Sequence, residues 1–211
     1  MKPFLIVIAT ITTLLGCSNL KPTGLYGDSV EKPEAANING FYQLDIYHDG
    51  LSKEVWFTDN KTCVDVTPSE KHYKGTGALR IKWNKQATGG CPWLGLGIGW
   101  DNWTGKDMSQ LGKNAALSFW VLSLDGDLKG LPWAVGFEDY GGSQSWTGAT
   151  ADLVVGGTIS TTTWTQMIIP LEKFRLTSSD LDPYTIKQLM FQFESSGDVL
   201  VDEIGIVELS R

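Results

Sequence analysis

Ala78-Leu79-Arg80-Ile81-Lys82-Trp83 alternates apolar and polar side chains with a period of two. That is the period of a half-buried β-strand, whose successive side chains point to opposite faces; a helix would repeat near 3.6. Runs of β type recur on both sides of it. Phe41-Tyr42-Gln43-Leu44-Asp45-Ile46-Tyr47 precedes it, and Ala116-Leu117-Ser118-Phe119-Trp120-Val121-Leu122 follows. Further on come Trp133 to Glu138, Thr165 to Ile169, Gln188 to Phe193 and Val199 to Val207. Clusters of Gly, Asn, Asp, Ser and Pro separate them, and these are the residues that turn a chain. The pattern of an amphipathic helix is absent, and Asp182 to Gln188 is expected to form one helical turn or two. Many short strands divided by turn signals mean an all-β sandwich or barrel.

The 211 residues contain no internal repeat and no second zone of composition. A single domain over 40–211 is therefore expected, large enough to bury a sizeable core. The net charge is -7. An acidic surface argues against nucleic acid or an anionic lipid surface as partner and suits a neutral or cationic ligand. Two well-separated histidines, His48 and His72, leave little material for a His-rich zinc site or a Ser-His-Asp triad.

The N-terminus reads as an export signal. Lys2 is followed by an apolar run through Phe4-Leu5-Ile6-Val7-Ile8-Ala9, too short to span a bilayer well, and the run closes on Leu14-Leu15-Gly16-Cys17. Leu-Leu-Gly-Cys resembles the lipobox of bacterial lipoproteins. The resemblance implies cleavage before Cys17, diacylglycerol on its sulfur and attachment to a membrane through that lipid. Ser18 rather than Asp follows, which in Gram-negative bacteria implies the outer membrane. Residues 1–16 are then the signal peptide. Residues 17–39, polar and rich in Pro, Gly and charge, form the acylated N-terminus and a tether with a reach of about 25 Å. With Cys17 acylated, Cys63 and Cys91 remain as a pair in an oxidising compartment, where a disulfide is expected, the other reading being two buried thiols. The loop closed would span about 28 residues and add ~3 kcal/mol by chain entropy.

Nine tryptophans are the outstanding feature of the domain. Each buried indole N–H needs a partner, so a core seldom takes so many. Trp83, Trp120 and Trp164 lie in strand-like runs and read as packing residues. Trp93, Trp100, Trp103 and Trp146 lie on glycine-rich connections: Trp93 follows Gly89-Gly90-Cys91-Pro92, Trp100-Asp101-Asn102-Trp103 is flanked by Gly99 and Gly105, and Trp146 lies in Gly141 to Gly148. Rings presented there suit a ligand that is apolar on one face and wet on the other. A sugar is such a ligand, its C–H face stacking on indole while amides and carboxylates bond its hydroxyls.

Tyr73-Lys74-Gly75-Thr76-Gly77-Ala78-Leu79-Arg80-Ile81 resembles the G-x-x-A-L-x-I strand of jelly-roll carbohydrate-binding modules, the galactose-binding-like domains found beside many polysaccharide hydrolases. Leu117 to Val121 resembles their next central strand. Thr163-Trp164-Thr165-Gln166-Met167-Ile168-Ile169-Pro170-Leu171 is similar to their T-W-x-x-v-x-I-P-L stretch, and Val199 to Ile204 to their closing v-x-i-D-D-I strand. The order agrees from about Phe41 to Leu209. The resemblance implies a two-sheet antiparallel β-sandwich of jelly-roll type, a concave glycan-binding face, and often a structural calcium ion. It places the calcium at Asp202, with Asp45 and Asp49 as partners, although the family's Asp-Phe-Glu opening is absent; backbone donors to Asp202 are the other reading. Asp202 is expected to share its strand face with Leu200, Ile204 and Ile206. The ligand face draws its candidates from Trp93, Trp100, Trp103, Trp133, Asp139, Tyr140, Trp146 and Gln192. Alternation puts Trp133, Val135, Phe137 and Asp139 on one face, which also allows Trp133 in the core, and it turns Glu138 and Tyr140 the other way. Gln192 is opposed to Phe191 and Phe193, and its amide offers both donor and acceptor to a hydroxyl.

Other motifs carry less. Gly95-x-Gly97-x-Gly99 has neither the dinucleotide spacing nor a following helix. Asn102-Trp103-Thr104 is a glycosylation sequon without meaning on a bacterial lipoprotein. Glu138 and Asp139 are adjacent and point opposite ways, so they do not flank a glycosidic bond. The expectation is thus a surface lipoprotein that binds polysaccharide or oligosaccharide, β-glucan first, without cleaving it, in the service of secreted glycoside hydrolases or an importer. The alternatives are a small glycoside hydrolase or lyase in which Glu54, Glu138, Asp139 and Glu194 converge, and a protein-binding envelope lipoprotein.

Overall fold

The computed structural model describes residues 44–47, 49, 56–58, 63–87, 91, 93–99, 103, 105–176 and 179–209. The signal peptide, Cys17, the tether, His48, Glu54 and Trp100 lie outside them, and Asp45 and Trp56 are described in their backbone alone.

The described strands form two antiparallel sheets. They are β1 (Leu44–Tyr47), β2 (Trp56–Thr58), β3 (Val64–Ser69), β4 (Ala78–Asn84), β5 (Gly95–Gly99), β6 (Ala115–Ser123), β7 (Trp133–Asp139), β8 (Gln144–Gly148), β9 (Thr165–Pro170), β10 (Ile186–Phe193) and β11 (Ser196–Glu208). One sheet runs β3-β4-β11-β6-β9, with β1 also on β11; the other runs β2-β5-β10-β7-β8. The long β11 serves two partners along one edge, β4 over its first half and β1 over its second.

Period-two alternation puts one row of each strand between the sheets. Leu79, Ile81 and Trp83 of β4, Leu117, Phe119 and Val121 of β6 and Val199 and Val201 of β11 face Leu96 and Ile98 of β5, Leu189, Phe191 and Phe193 of β10 and Val135 and Phe137 of β7. Ring contacts cross the interface: Phe119 meets Phe191 edge-on at 6.0 Å, and Trp83 lies 5.2 Å from Phe193. The Trp83 indole N–H donates to the Glu194 carbonyl at 2.9 Å. A disulfide joins Cys63 and Cys91, with Cα atoms 6.5 Å apart. It fastens the approach to Trp93 and β5 to the start of β3 in the opposite sheet.

Three details differ from the expectations. The segment before β10 is a turn rather than a helix. Asp182 holds it through the Tyr184 N–H and the Thr185 hydroxyl, both at 3.0 Å, and β10 starts at Ile186. Trp120 and Trp164 pack outside the core, half-buried on the outer face of the six-stranded sheet, where the Tyr73 ring stacks on Trp120 at 3.7 Å. Asp202 shares a face with Leu200 but not with Ile204 and Ile206. A bulge between Asp202 and Gly205, with Glu203 at φ 49°, inserts one residue and flips the following side chains into the core.

Candidate functional site

Three rungs cross the outer face of the five-stranded sheet. The first passes from Trp56 through Gly99, Gln188 and Glu138 to Gln144. The second passes from Thr58 through Gly97, Met190 and Gly136 to Trp146, and the third from Gly95 through Gln192 and Ala134 to Gly148. The glycines that resemble a phosphate loop in sequence are thus the outward row of β5, while Leu96 and Ile98 point inward. A strand with no outward side chains leaves room above its backbone, and tryptophans fill it. A Cβ on Gly99 would come within 3.0 Å of Trp103 Cε2. One on Gly136 would come within 2.6 Å of Trp146 Cδ2 and Cε3, and one on Gly95 within 2.5 Å of Trp93 Cη2. Each of the three indoles therefore rests on a glycine backbone, the arrangement by which aromatic rings cover strand glycines.

The seats of Trp93 and Trp103 are four residues apart along β5, about 13 Å, and that of Trp146 is two strands across, about 10 Å. No single pyranose ring reaches all three. Trp93 stands 44 % exposed. Trp103 has φ 64°, a backbone region that a bulky side chain seldom enters and that costs about 1–3 kcal/mol, and such strain gathers at functional sites. Gln188 and Met190 are nearly covered and make the floor, with Gln192 half-exposed beside them. Beyond the end of β7, Tyr140 packs against Gly105, where a Cβ would meet its ring at 2.7 Å.

Among the described side chains of these rungs, Glu138 is the single charged one. It pairs with Lys187, and its Oε2 accepts from the Gln144 amide at 2.8 Å. The face is electrically quiet and offers rings and amides.

Sequence-based candidates divide accordingly. The structure brings Trp93, Trp103, Trp146, Gln192 and Tyr140 to this one side of the sheet. Two are corrected. Trp133 is 4 % exposed, on the inner row of β7, with its ring 5.4 Å from Trp83 and 5.0 Å from Phe193, so alternation seals it in the core. Asp139, on the same inner row, is buried, and its carboxylate accepts the N–H groups of Ser143 at 2.9 Å and Asp182 at 2.7 Å. It fastens the β7–β8 turn to the segment ahead of β10 and offers nothing to a ligand. Gln188, Met190, Gln144 and Lys187 were missed. The alternation that marks Gln192 as outward marks Gln188 and Met190 as well.

Two of the three carboxylates expected to hold calcium, Asp202 and Asp49, accept backbone N–H groups, and the side chain of Asp45 lies outside the described residues. Asp202 is fully buried; its Oδ2 accepts the N–H groups of Tyr73 at 2.8 Å and Lys74 at 3.2 Å, and its Oδ1 that of Glu203 at 2.8 Å. Asp49 accepts the Thr76 N–H of the same loop. These N–H groups turn their positive ends toward the place a cation would occupy. Among the described residues no group of three His, Cys, Asp or Glu is arranged to hold a metal ion. Asp202 and Asp49, so engaged, do not fit calcium. Among the described residues, the acids proposed for hydrolysis do not converge: Glu194 pairs with Lys85, and Glu138 lies six β10 positions away, about 20 Å, against the 5–10 Å a glycosidase needs.

A two-sheet antiparallel sandwich with indoles and amides on one outer face has the make-up of a carbohydrate-binding module. The chain belongs to the family of carbohydrate binding domain 30, whose model matches residues 43–208. Among solved structures it is similar to the family 30 carbohydrate-binding module of the cellulosomal cellulase Cel9D-Cel44B of Clostridium thermocellum. The identity is 20 %, the match covers 81 % of this chain and 100 % of that one, and the TM-score is 0.63. It is also similar to the family 11 module of Clostridium thermocellum in complex with a β-1,3-1,4-mixed-linked tetrasaccharide, at 17 % identity over 78 % of this chain and 94 % of that one, with a TM-score of 0.53. At such identities the likeness is one of fold. No curated protein matches the sequence.

Proposed function

We propose that the outer face of β5, β10, β7 and β8 binds a neutral β-linked glucan without cleaving it, and that lipid on Cys17 holds the module at the outer surface of the cell envelope. One observation carries the reading of the face: Trp93, Trp103 and Trp146 each lie on a glycine backbone of one sheet, around a floor of amide and thioether. Flat indoles accept the C–H faces of sugars whose hydroxyls are equatorial, as in β-glucans, and glutamine amides accept and donate to hydroxyls at the ring edge. The spacing of the seats requires an oligomer. Of the acids weighed for hydrolysis, Glu138 and Glu194 are paired with lysines and Asp139 accepts backbone N–H groups, which favours capture over hydrolysis. The cellulase that carries the family 30 relative and the mixed-linked tetrasaccharide bound by the family 11 relative support a β-glucan. Many anchored copies on one polymer gain avidity from weak single sites, and captured glycan would feed secreted glycoside hydrolases.

Titration calorimetry with a mixed-linkage β-glucan and with cello-oligosaccharides, on the wild type and on Trp93→Ala, Trp103→Ala and Trp146→Ala, tests this. Binding lost in folded variants, with no reducing ends released from the polymer, is the expected result. Unchanged binding in all three, or steady release of reducing sugar, would overturn it. For the anchor, a labelled fatty acid is expected on the wild type and absent from Cys17→Ser.

A further inference from the structure

Trp146 lies on β8, the last described strand of its sheet, with no strand beyond to hold its ring. Its indole N–H donates to Gln144 Oε1 at 3.2 Å, two residues back on the same strand face. A glutamine amide fits its site in either orientation unless a neighbour selects one. Here Glu138 Oε2 accepts from Gln144 Nε2 at 2.8 Å, and that turns Oε1 toward the indole. Glu138 is in turn fixed by Lys187, its Oε1 facing Lys187 Nζ.

Lys187 is the surprising member. It is the extra residue of a bulge, since Ile186 and Gln188 of β10 oppose adjacent residues of β7, and its side chain is 8 % exposed. A buried ion pair gains little net stability, because desolvation offsets the attraction; its best-attested use is to select one arrangement among several. What this pair selects is the orientation of one amide.

We propose that Gln144, set by the Glu138–Lys187 pair, is a positioning residue that pins the Trp146 indole flat over Gly136 for glycan binding; this rests on the reading of the face given above. The bond also consumes the indole N–H. Trp146 therefore presents a ring face and no donor, and selects its sugar by the shape of a C–H face.

The test follows the Trp146 indole N–H resonance, assigned by its loss in Trp146→Phe, together with affinity for soluble mixed-linkage β-glucan. In Gln144→Leu the resonance moves, its exchange with water quickens, and affinity falls about fivefold, the value of one neutral hydrogen bond. The unfolding midpoint stays in place. The double variant Glu138→Gln with Gln144→Glu again supplies a donor to position 144 and an acceptor to the indole, and restores both readouts. If Gln144→Leu fails to fold, Gln144→Met, of the same length but without the amide, replaces it. An indole resonance and exchange rate unmoved by the loss of the amide overturn the proposal, and so does a moved resonance with unchanged affinity. Full glucan binding by Trp146→Ala alone would overturn the positioning role, and full binding by Trp93→Ala and Trp103→Ala as well would show that the reading of the face has failed.

Discussion

Replacing Gly136 by alanine adds one methyl group at a place where the structure has none to spare. Its Cβ would stand 2.6 Å from Trp146 Cδ2 and Cε3, while carbon atoms pack best at about 3.5–4.0 Å, so the indole must rise by about 1 Å. The backbone at Gly136 is ordinary strand, and alanine suits a strand interior better than glycine does. Stability should therefore change by no more than about 1 kcal/mol, the backbone gain offsetting the loss of ring contact. Binding responds differently. A sugar face covering on the order of 60 Å² of apolar surface at about 25 cal/mol/Å² contributes about 1.5 kcal/mol. A ring lifted out of level with its neighbours forfeits half of that or all of it, which raises Kd about three- to tenfold. Gly148→Ala is the control. It lies on the same face, but its Cβ would meet nothing closer than Thr150 Cγ2 at 3.5 Å, an ordinary contact. Calorimetry with mixed-linkage β-glucan and thermal unfolding of both variants give the answer. Wild-type affinity in Gly136→Ala would refute the reasoning, and so would an equal loss in Gly148→Ala.

Other consequences can be measured on the same protein. Replacing Cys63 and Cys91 by serine, which opens a loop of 28 residues, should cost about 3.5 kcal/mol in urea unfolding, and a change below about 1 kcal/mol would mean the bond constrains little. Asp202→Ala leaves the N–H groups of Tyr73, Lys74 and Glu203 without their carboxylate and should cost at least about 3 kcal/mol. Excess calcium or a chelator should leave the wild-type melting temperature where it is; a rise of several degrees with calcium, abolished in Asp202→Asn, would show a cation site instead. Tyr73→Ala and Trp164→Ala, on the other sheet, should leave glucan affinity unchanged, and a clear loss in either would move the binding surface to that side.

The legible part of the fold is the part whose side chains do the packing locally. β4 alternates in plain sight because one row is buried and the other wet, and β6, β7, β9, β10 and β11 show dense apolar rows. β5 and β8 were hidden for the reason that makes them interesting. Gly95, Gly97 and Gly99 carry no outward side chains because rings from other segments fill that space, so the strand looks like a loop. β3 contains Pro68, tolerated because, among the described strands, β3 pairs with β4 alone. In the candidate site, glycine-rich surroundings marked Trp93, Trp103 and Trp146, and alternation marked Gln192. The bulges leave no signature in the sequence. One turns Ile204 and Ile206 away from Asp202, the other sends Lys187 to Glu138, and both follow from pairing between distant strands. Asp139 looked like a ligand group because an acid at a strand end is polar and close to a turn; its partners, Ser143 and Asp182, are visible only once the strands are assembled.

The most direct test of the central claim is a titration of the protein with mixed-linkage β-glucan oligosaccharides, followed through backbone amide and indole N–H resonances. The account predicts shifts gathered on Gly95 to Gly99, Gln188 to Gln192 and Gln144 to Gly148, with the Trp93, Trp103 and Trp146 indoles among the largest. Shifts gathered around Tyr73, Trp120 and Trp164 on the opposite sheet, or none at saturating oligosaccharide, would contradict it.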